Sequence, residues 1–159
     1  MTGVQTCALP IFKKRKRGTT IIALNIKQLN PDGEKELIRL LEKYDLFEDC
    51  FAFDQSTEMS KRLKILNSQF RIGQNVSRKG VDDRLDEDFL DVFMVTFTPT
   101  KAEVDKIREQ GKQIVYNFGG TLKGRRNPIT WNKARAARID GMLTDYPLEC
   151  RRVWRNVNP

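Results

Sequence analysis

Histidine is absent from this chain of 159 residues. That excludes any mechanism in which its own imidazoles carry protons or bind a metal. Cysteine is sparse, with three in all, at Cys7, Cys50 and Cys150. None has metal-ligand spacing, and three scattered thiols do not make a disulfide framework. No apolar run approaches the ~20 residues that span a bilayer. Hydrophobic residues make up 39% and charged residues 31%, a composition suited to a globular domain with a core of its own.

Positive charge, by contrast, is in excess. The formal net charge is +8, but Lys13 to Arg17 (KKRKR) supplies five of those charges. The remainder is only mildly basic. A nucleic-acid-binding reading rests on that one tract, and such tracts are most often solvated segments. Binding to nucleic acid is therefore not expected.

Met1 to Ile11 reads MTGVQTCALPI. It resembles the conceptual translation of a short-read sequencing adapter, with a GTG codon taken as the start. Its charges follow the apolar part, the reverse of a signal peptide. On this reading residues 1–11 are an artefact, Cys7 has no biological meaning, and residues 12–18 form a basic segment. The natural sequence then begins near Phe12, inside a longer gene, and residues 19–159 form the domain. Cytoplasmic and periplasmic or secreted locations both stay open.

From Thr19 onward, strand and helix signals alternate. Thr19 to Lys27 (TTIIALNIK) reads as a strand whose Asn25 and Lys27 share one side. Asn30 and Pro31 open a helix with a stripe of Leu37, Leu40, Leu41 and Tyr44. Cys50 to Phe53 is the next strand, followed by Asp54, Gln55 and Ser56. Ser56 or Thr57 caps a helix with Met59, Leu63 and Leu66 on its inner face. Asp54 and Ser56 read as capping residues before catalytic ones. Phe70 to Val76 is a weaker strand interrupted by Gly73; Arg71 and Gln74 lie on it without a face that periodicity can assign. Ser77 to Asp88 reads as a charged loop with a short helix.

Asp91 to Phe97 (DVFMVTF) is a buried strand, and Thr100 to Glu103 is a capping box for a helix with Val104 and Ile107 inside. Gly111 ends that helix, and Lys112 to Phe118 (KQIVYNF) is a further strand. A glycine-rich loop, Gly119 to Pro128, carries Arg125 and Arg126 as loop charges. Trp131 to Arg138 is a short Ala-rich helix. Ile139 to Leu143 then reads as a buried strand ending in Thr144 and Asp145, with Pro147 stopping the ladder. The same residues also fit an ordinary turn after a strand. The tail after Cys150 starts a terminal helix.

About six strands, nearly all joined by helices, predict a parallel α/β architecture. A doubly wound open sheet and a (β/α)8 barrel both fit. No glycine fingerprint follows the first strand, which weakens a dinucleotide-binding version.

Three segments together resemble one family. Ile139 to Pro147 (IDGMLTDYP) resembles the closing strand motif of the glycerophosphodiester phosphodiesterases, GVDGIITDYP. Ala23 to Lys27 (ALNIK) resembles the third-strand motif, in which Glu-x-Lys is usual. Gln113 to Gly120 (QIVYNFGG) resembles the seventh, and Phe51 to Met59 (FAFDQSTEM) falls where the fourth strand and its helix belong. The resemblance implies a partial TIM barrel of the PLC-like phosphodiesterase type, holding strands three to eight and lacking the first two.

In the family those two strands carry a His-Arg motif, a Glu-x-Asp metal motif and a second catalytic histidine. The implied reaction hydrolyses a glycerophosphodiester to glycerol 3-phosphate and an alcohol. It depends on a divalent cation such as magnesium or calcium, and belongs to lipid metabolism. By position, Lys27 matches the phosphate-contacting lysine, and Asn25 stands where a metal-binding glutamate is usual. Tyr116, Asn117 and Arg71 would contact substrate. Asp140, Gly141, Thr144 and Asp145 match the closing motif, with Thr144 and Asp145 shaping the mouth of the barrel. The chain itself is expected to be inactive, and a non-catalytic phospho-ligand-binding relative is the alternative.

Overall fold

The computed structural model describes residues 21–117 and 126–155. The adapter-like stretch, the basic tract and Arg125 lie outside the described residues. Among the described residues there are six strands, and the chain divides into two compact units, one up to Gly73 and one from Gln74 onward. The boundary falls inside the third strand.

In the first unit, β1 (Ile22–Asn25) pairs in parallel with β2 (Cys50–Phe53), from Ile22↔Cys50 to Asn25↔Phe53. In turn β2 pairs in parallel with β3 (Arg71–Val76) through Phe51↔Arg71 and Ala52↔Ile72. Helix α1 (Pro31–Lys43) starts where its sequence dictates. The Asn30 side chain accepts from Gly33 N–H at 2.8 Å, and Pro31 occupies a position that needs no donor. Leu37, Ile38, Leu40 and Leu41 form its buried stripe, while Tyr44 is half-buried at the helix end.

Ser56, not Thr57, caps α2 (Thr57–Leu66), accepting from Met59 N–H at 3.2 Å. Met59, Ser60 and Leu63 face inward. Leu66 does not: as the last residue of the helix it turns outward and is 39% exposed, because Asn67 is already extended and redirects the chain. Across the two helices, Arg62 meets the buried Glu34 carboxylate at 2.6 Å.

In the second unit, β4 (Val92–Val95), β5 (Gln113–Asn117) and β6 (Gly141–Leu143) are parallel neighbours, with Val92↔Gln113 and Val115↔Gly141 in register. The stretch after β3 holds two single 3-10 turns, Arg78–Gly80 and Asp82–Arg84, instead of one short helix. The capping box forms as expected at α3 (Lys101–Glu109), with Val104 and Ile107 buried. Gly111, at φ 69, supplies the left-handed residue after it.

Helix α4 (Pro128–Ala136) buries Trp131 and Ala134. β6 is half-buried along its length and not the buried strand expected; among the described residues it has a strand partner on one side only, and the buried residue is Ile139, before it. The terminal helix α5 (Pro147–Arg155) begins three residues before Cys150. Pro147 thus opens a helix and does not stop the ladder, which has already ended at Leu143; a first helical position needs no N–H.

Strand order follows chain order in each unit. A doubly wound sheet requires a reversal of direction, and neither unit contains one among the described residues. Parallel strands that each step to the next position are what a barrel winding requires.

Candidate active site

In a parallel α/β unit, chemistry collects where strands end, because the loops and helix N-termini converge there. In the first unit, Asn25 is the last residue of β1, level with Phe53 at the end of β2. Ile26 N–H still donates to Phe53 O at 2.9 Å, which carries the contact with β2 one residue beyond the strand. Asn25 and Lys27 are both exposed, with half-buried Ile26 between them. The alternation read from the sequence therefore holds. Among the described residues Lys27 has no hydrogen-bonding or ion-pair partner.

The chain beyond β2 is tightly shaped. Asp54 adopts φ 74, is exposed, and does not cap the helix; Ser56 does. Gln55 between them is 6% exposed and folds back, its Nε2 donating to Gly73 O at 3.5 Å. Its Oε1 is buried without a donor. Gly73 itself is required by packing: a Cβ there would lie 2.8 Å from Cδ2 of the Phe51 ring. Arg71 stands apart from these residues. It begins β3, at the opposite end from the strand termini, and its guanidinium donates to the carbonyl of Glu48 in the turn before β2.

In the second unit, Tyr116 and Asn117 close β5. Tyr116 is buried and Asn117 Nδ2 donates to Asn75 Oδ1 at 2.9 Å. Thr144 and Asp145 follow β6, where Thr144 Oγ1 accepts from Tyr146 N–H at 3.1 Å and turns the chain into α5. Gln74 accepts from Arg84.

The first half of the closing motif lies at the other end of its strand. Asp140 precedes β6, and its Oδ2 accepts from Ile114 N–H at 2.8 Å while Oδ1 meets Arg108 at 2.6 Å. Gly141 opens β6, where a Cβ would make only ordinary contact with Val115 at 3.5 Å. The motif therefore splits by role: Asp140 and Gly141 build the strand's start, and Thr144 and Asp145 its end.

Two arrangements have no local signal in the sequence. One is the Asn75–Asn117 bond between residues 42 apart. The other is Arg126, which is more than a loop charge. It forms two 2.9 Å bonds to the Glu149 carboxylate and stacks over the Tyr146 ring at 5.0 Å.

Among the described residues, the donors near Asn25 do not make a set that suits a hard divalent cation. Such ions take six or more oxygens, with carboxylates foremost. Asn25 offers a neutral amide, and among the described residues no group of three Asp, Glu, Cys or His converges.

No protein-family profile matches the chain, and no curated protein matches its sequence. Solved structures do match in shape. A protein assigned as a glycerophosphodiester phosphodiesterase from Galdieria sulphuraria superposes with a TM-score of 0.73, at 15% identity, over 95% of this chain and 63% of its own. A glycerophosphoryl diester phosphodiesterase from Parabacteroides distasonis gives 0.63 at 16% identity, covering 95% and 56%. One from Agrobacterium tumefaciens gives 0.59 at 15% identity, covering 85% and 57%. The chain shares its fold with glycerophosphodiester phosphodiesterases. It spans between 56% and 63% of the length of these three structures. At such identities the likeness is one of fold. No helix among the described residues is long and apolar enough to cross a membrane.

Proposed function

We propose that this chain is part of a phosphoric diester hydrolase of the glycerophosphodiester phosphodiesterase type. Its six strands correspond to the third to eighth of an eight-stranded TIM barrel. The observation that carries this reading is the Asn25-x-Lys27 pair, exposed at the end of a parallel strand in a chain with this fold. Lys27 Nζ neutralises phosphate charge, which is greatest when water attacks phosphorus and the P–O bond to the alcohol breaks. Tyr116 and Asn117 contact the substrate, and Thr144 and Asp145 shape the rim at their strand end. Arg71 has no part in binding on this reading, because its guanidinium is committed to Glu48 at the far end of its strand.

With no histidine in the chain, no imidazole of its own can shuttle protons, and no cation-dependent step is assigned to these residues. The 159-residue chain is thus expected to bind phosphate monoesters and not to turn over diesters. A second reading, a barrel that only binds a phosphorylated ligand, is favoured by the neutral Asn25 where a carboxylate is usual.

Titration with glycerol 3-phosphate, followed by 31P NMR, tests the site. Saturable binding that Lys27→Met weakens about tenfold supports it, as a phosphate-contacting cation is worth ~1.5–3 kcal/mol. Equal binding by both chains would sink it. Chelator-sensitive release of glycerol 3-phosphate from glycerophosphocholine by the unaltered chain would overturn the expected inactivity.

A further inference from the structure

The second unit exposes two large aliphatic side chains, Ile129 at 66% and Leu148 at 70%. Isolated exposed aliphatics are ordinary, but these two stand at the starts of two neighbouring helices. Each sits on the first turn of its helix, α4 and α5. Arg126, two residues before α4, is bonded to Glu149 and stacked on Tyr146 at the start of α5. That bridge brings the two helix starts together. Each aliphatic residue also has an exposed cation four residues on: Lys133 after Ile129, and Arg152 after Leu148. Residues at i and i+4 share a helix face. Each helix therefore presents an apolar tip with a positive charge one turn behind it.

This is the pattern of an interfacial contact, in which aliphatic groups enter the headgroup layer and cations meet lipid phosphates. We propose that the first-turn edge of α4 and α5 docks on an anionic lipid surface through Ile129, Leu148, Lys133 and Arg152. Charge selects lipid over a second copy of the chain. Lys133 and Arg152 are both exposed, so two copies meeting through this edge would bring four cations together. The edge also lies where β5 and β6 end, since a helix that follows a strand starts at that strand's C-terminal end. The inference stands apart from the phosphodiesterase reading, because its readout involves no substrate.

Co-sedimentation with phosphatidylcholine vesicles, with and without phosphatidylserine, tests it. Lys13 to Arg17 would bind anionic vesicles by charge alone, so all five are replaced by glutamine in every chain compared. Binding is expected only with phosphatidylserine, and to fall as salt rises. Ile129→Asp with Leu148→Asp should weaken it at least about tenfold, and Lys133→Glu with Arg152→Glu similarly. All four side chains are exposed, so circular dichroism and melting should not change; if the aspartates disturb folding, serine at both positions replaces them. Undiminished binding by the apolar pair overturns the proposal. So does the absence of binding, or self-association without lipid that the same substitutions abolish.

Discussion

Replacing Asp140 by alanine should cost the second unit about 2–4 kcal/mol, although Asp140 belongs to the segment with the strongest family resemblance. The reason lies in one peptide group. β6 begins only at Gly141, so the strand ladder by itself offers no acceptor to Ile114 N–H, inside a fully buried residue of β5. Asp140 fills the gap twice over. Its carboxylate accepts from Ile114 N–H at 2.8 Å, and its own N–H donates to Ile114 O at 3.0 Å. Only the first bond is lost on truncation. A hydrogen bond to a charged acceptor is worth ~1.5–3 kcal/mol, and the stranded donor accounts for much of that. The ion pair with Arg108 adds less, because side-chain exposures of 38% and 30% leave it screened; about 0–1 kcal/mol is reasonable. Asp140→Asn keeps an acceptor oxygen and should cost about half as much. Urea titration followed by circular dichroism gives the totals. Amide hydrogen exchange at Ile114 localises the effect, which should be lost protection there before elsewhere in the unit. If Asp140→Ala matched the parent within about 0.5 kcal/mol and Ile114 stayed protected, the assigned role would be wrong.

Three further outcomes follow from single contacts. Gly73→Ala should destabilise the first unit by about 1–3 kcal/mol through the clash with the Phe51 ring, and Phe51→Leu should recover part of that in a double-mutant cycle. The Glu103 carboxyl is held below its ordinary range: burial pushes it up, but bonds from the Thr100 N–H and hydroxyl and the Arg78 guanidinium outweigh that. A lowered folded-state value means stability present above about pH 4.5 and lost as pH falls further; the melting-temperature gap between the parent and Glu103→Ala should shrink below that pH. Burial pushes the Cys150 thiol up to about 11, so in the native chain it should react with a disulfide reagent at pH 8 roughly 100-fold more slowly than after denaturation. Equal rates would show the helix end to be open.

Helix starts were the most legible features, because their chemistry is contained within four residues. Asn30-Pro31 and Thr100 to Glu103 each name their own hydrogen bonds, and each forms, while of the two candidates Ser56 and Thr57 it is Ser56 that caps. Helix ends were less so. Leu66 fits the apolar spacing of α2, but the chain turns away at Asn67 and leaves it outside. Arg71 shows why strand positions are harder still. Gly73 interrupts the alternation on that strand, so periodicity could not assign Arg71 a side, and the register with Phe51 puts the residue at the strand's start. Lys27 was easier, because it closes the apolar run that begins at Thr19 and so falls at the strand's end, two residues past Asn25. Gln55 could not, since its burial comes from folding back toward Gly73, 18 residues away. Arg126 looked like a solvated loop charge because Glu149 is 23 residues further on.

The step-by-step strand order has a consequence for synthesis on the ribosome. In either unit a strand meets its partner about 20 to 30 residues later, and never one much further off. Each new strand can therefore dock on its predecessor soon after leaving the exit tunnel, without waiting for the far end of the chain. A stalled nascent chain ending some distance past Phe53 should already hold β1 against β2. Its folding then resembles laying successive courses of brick, with every finished course serving as the template for the one after it.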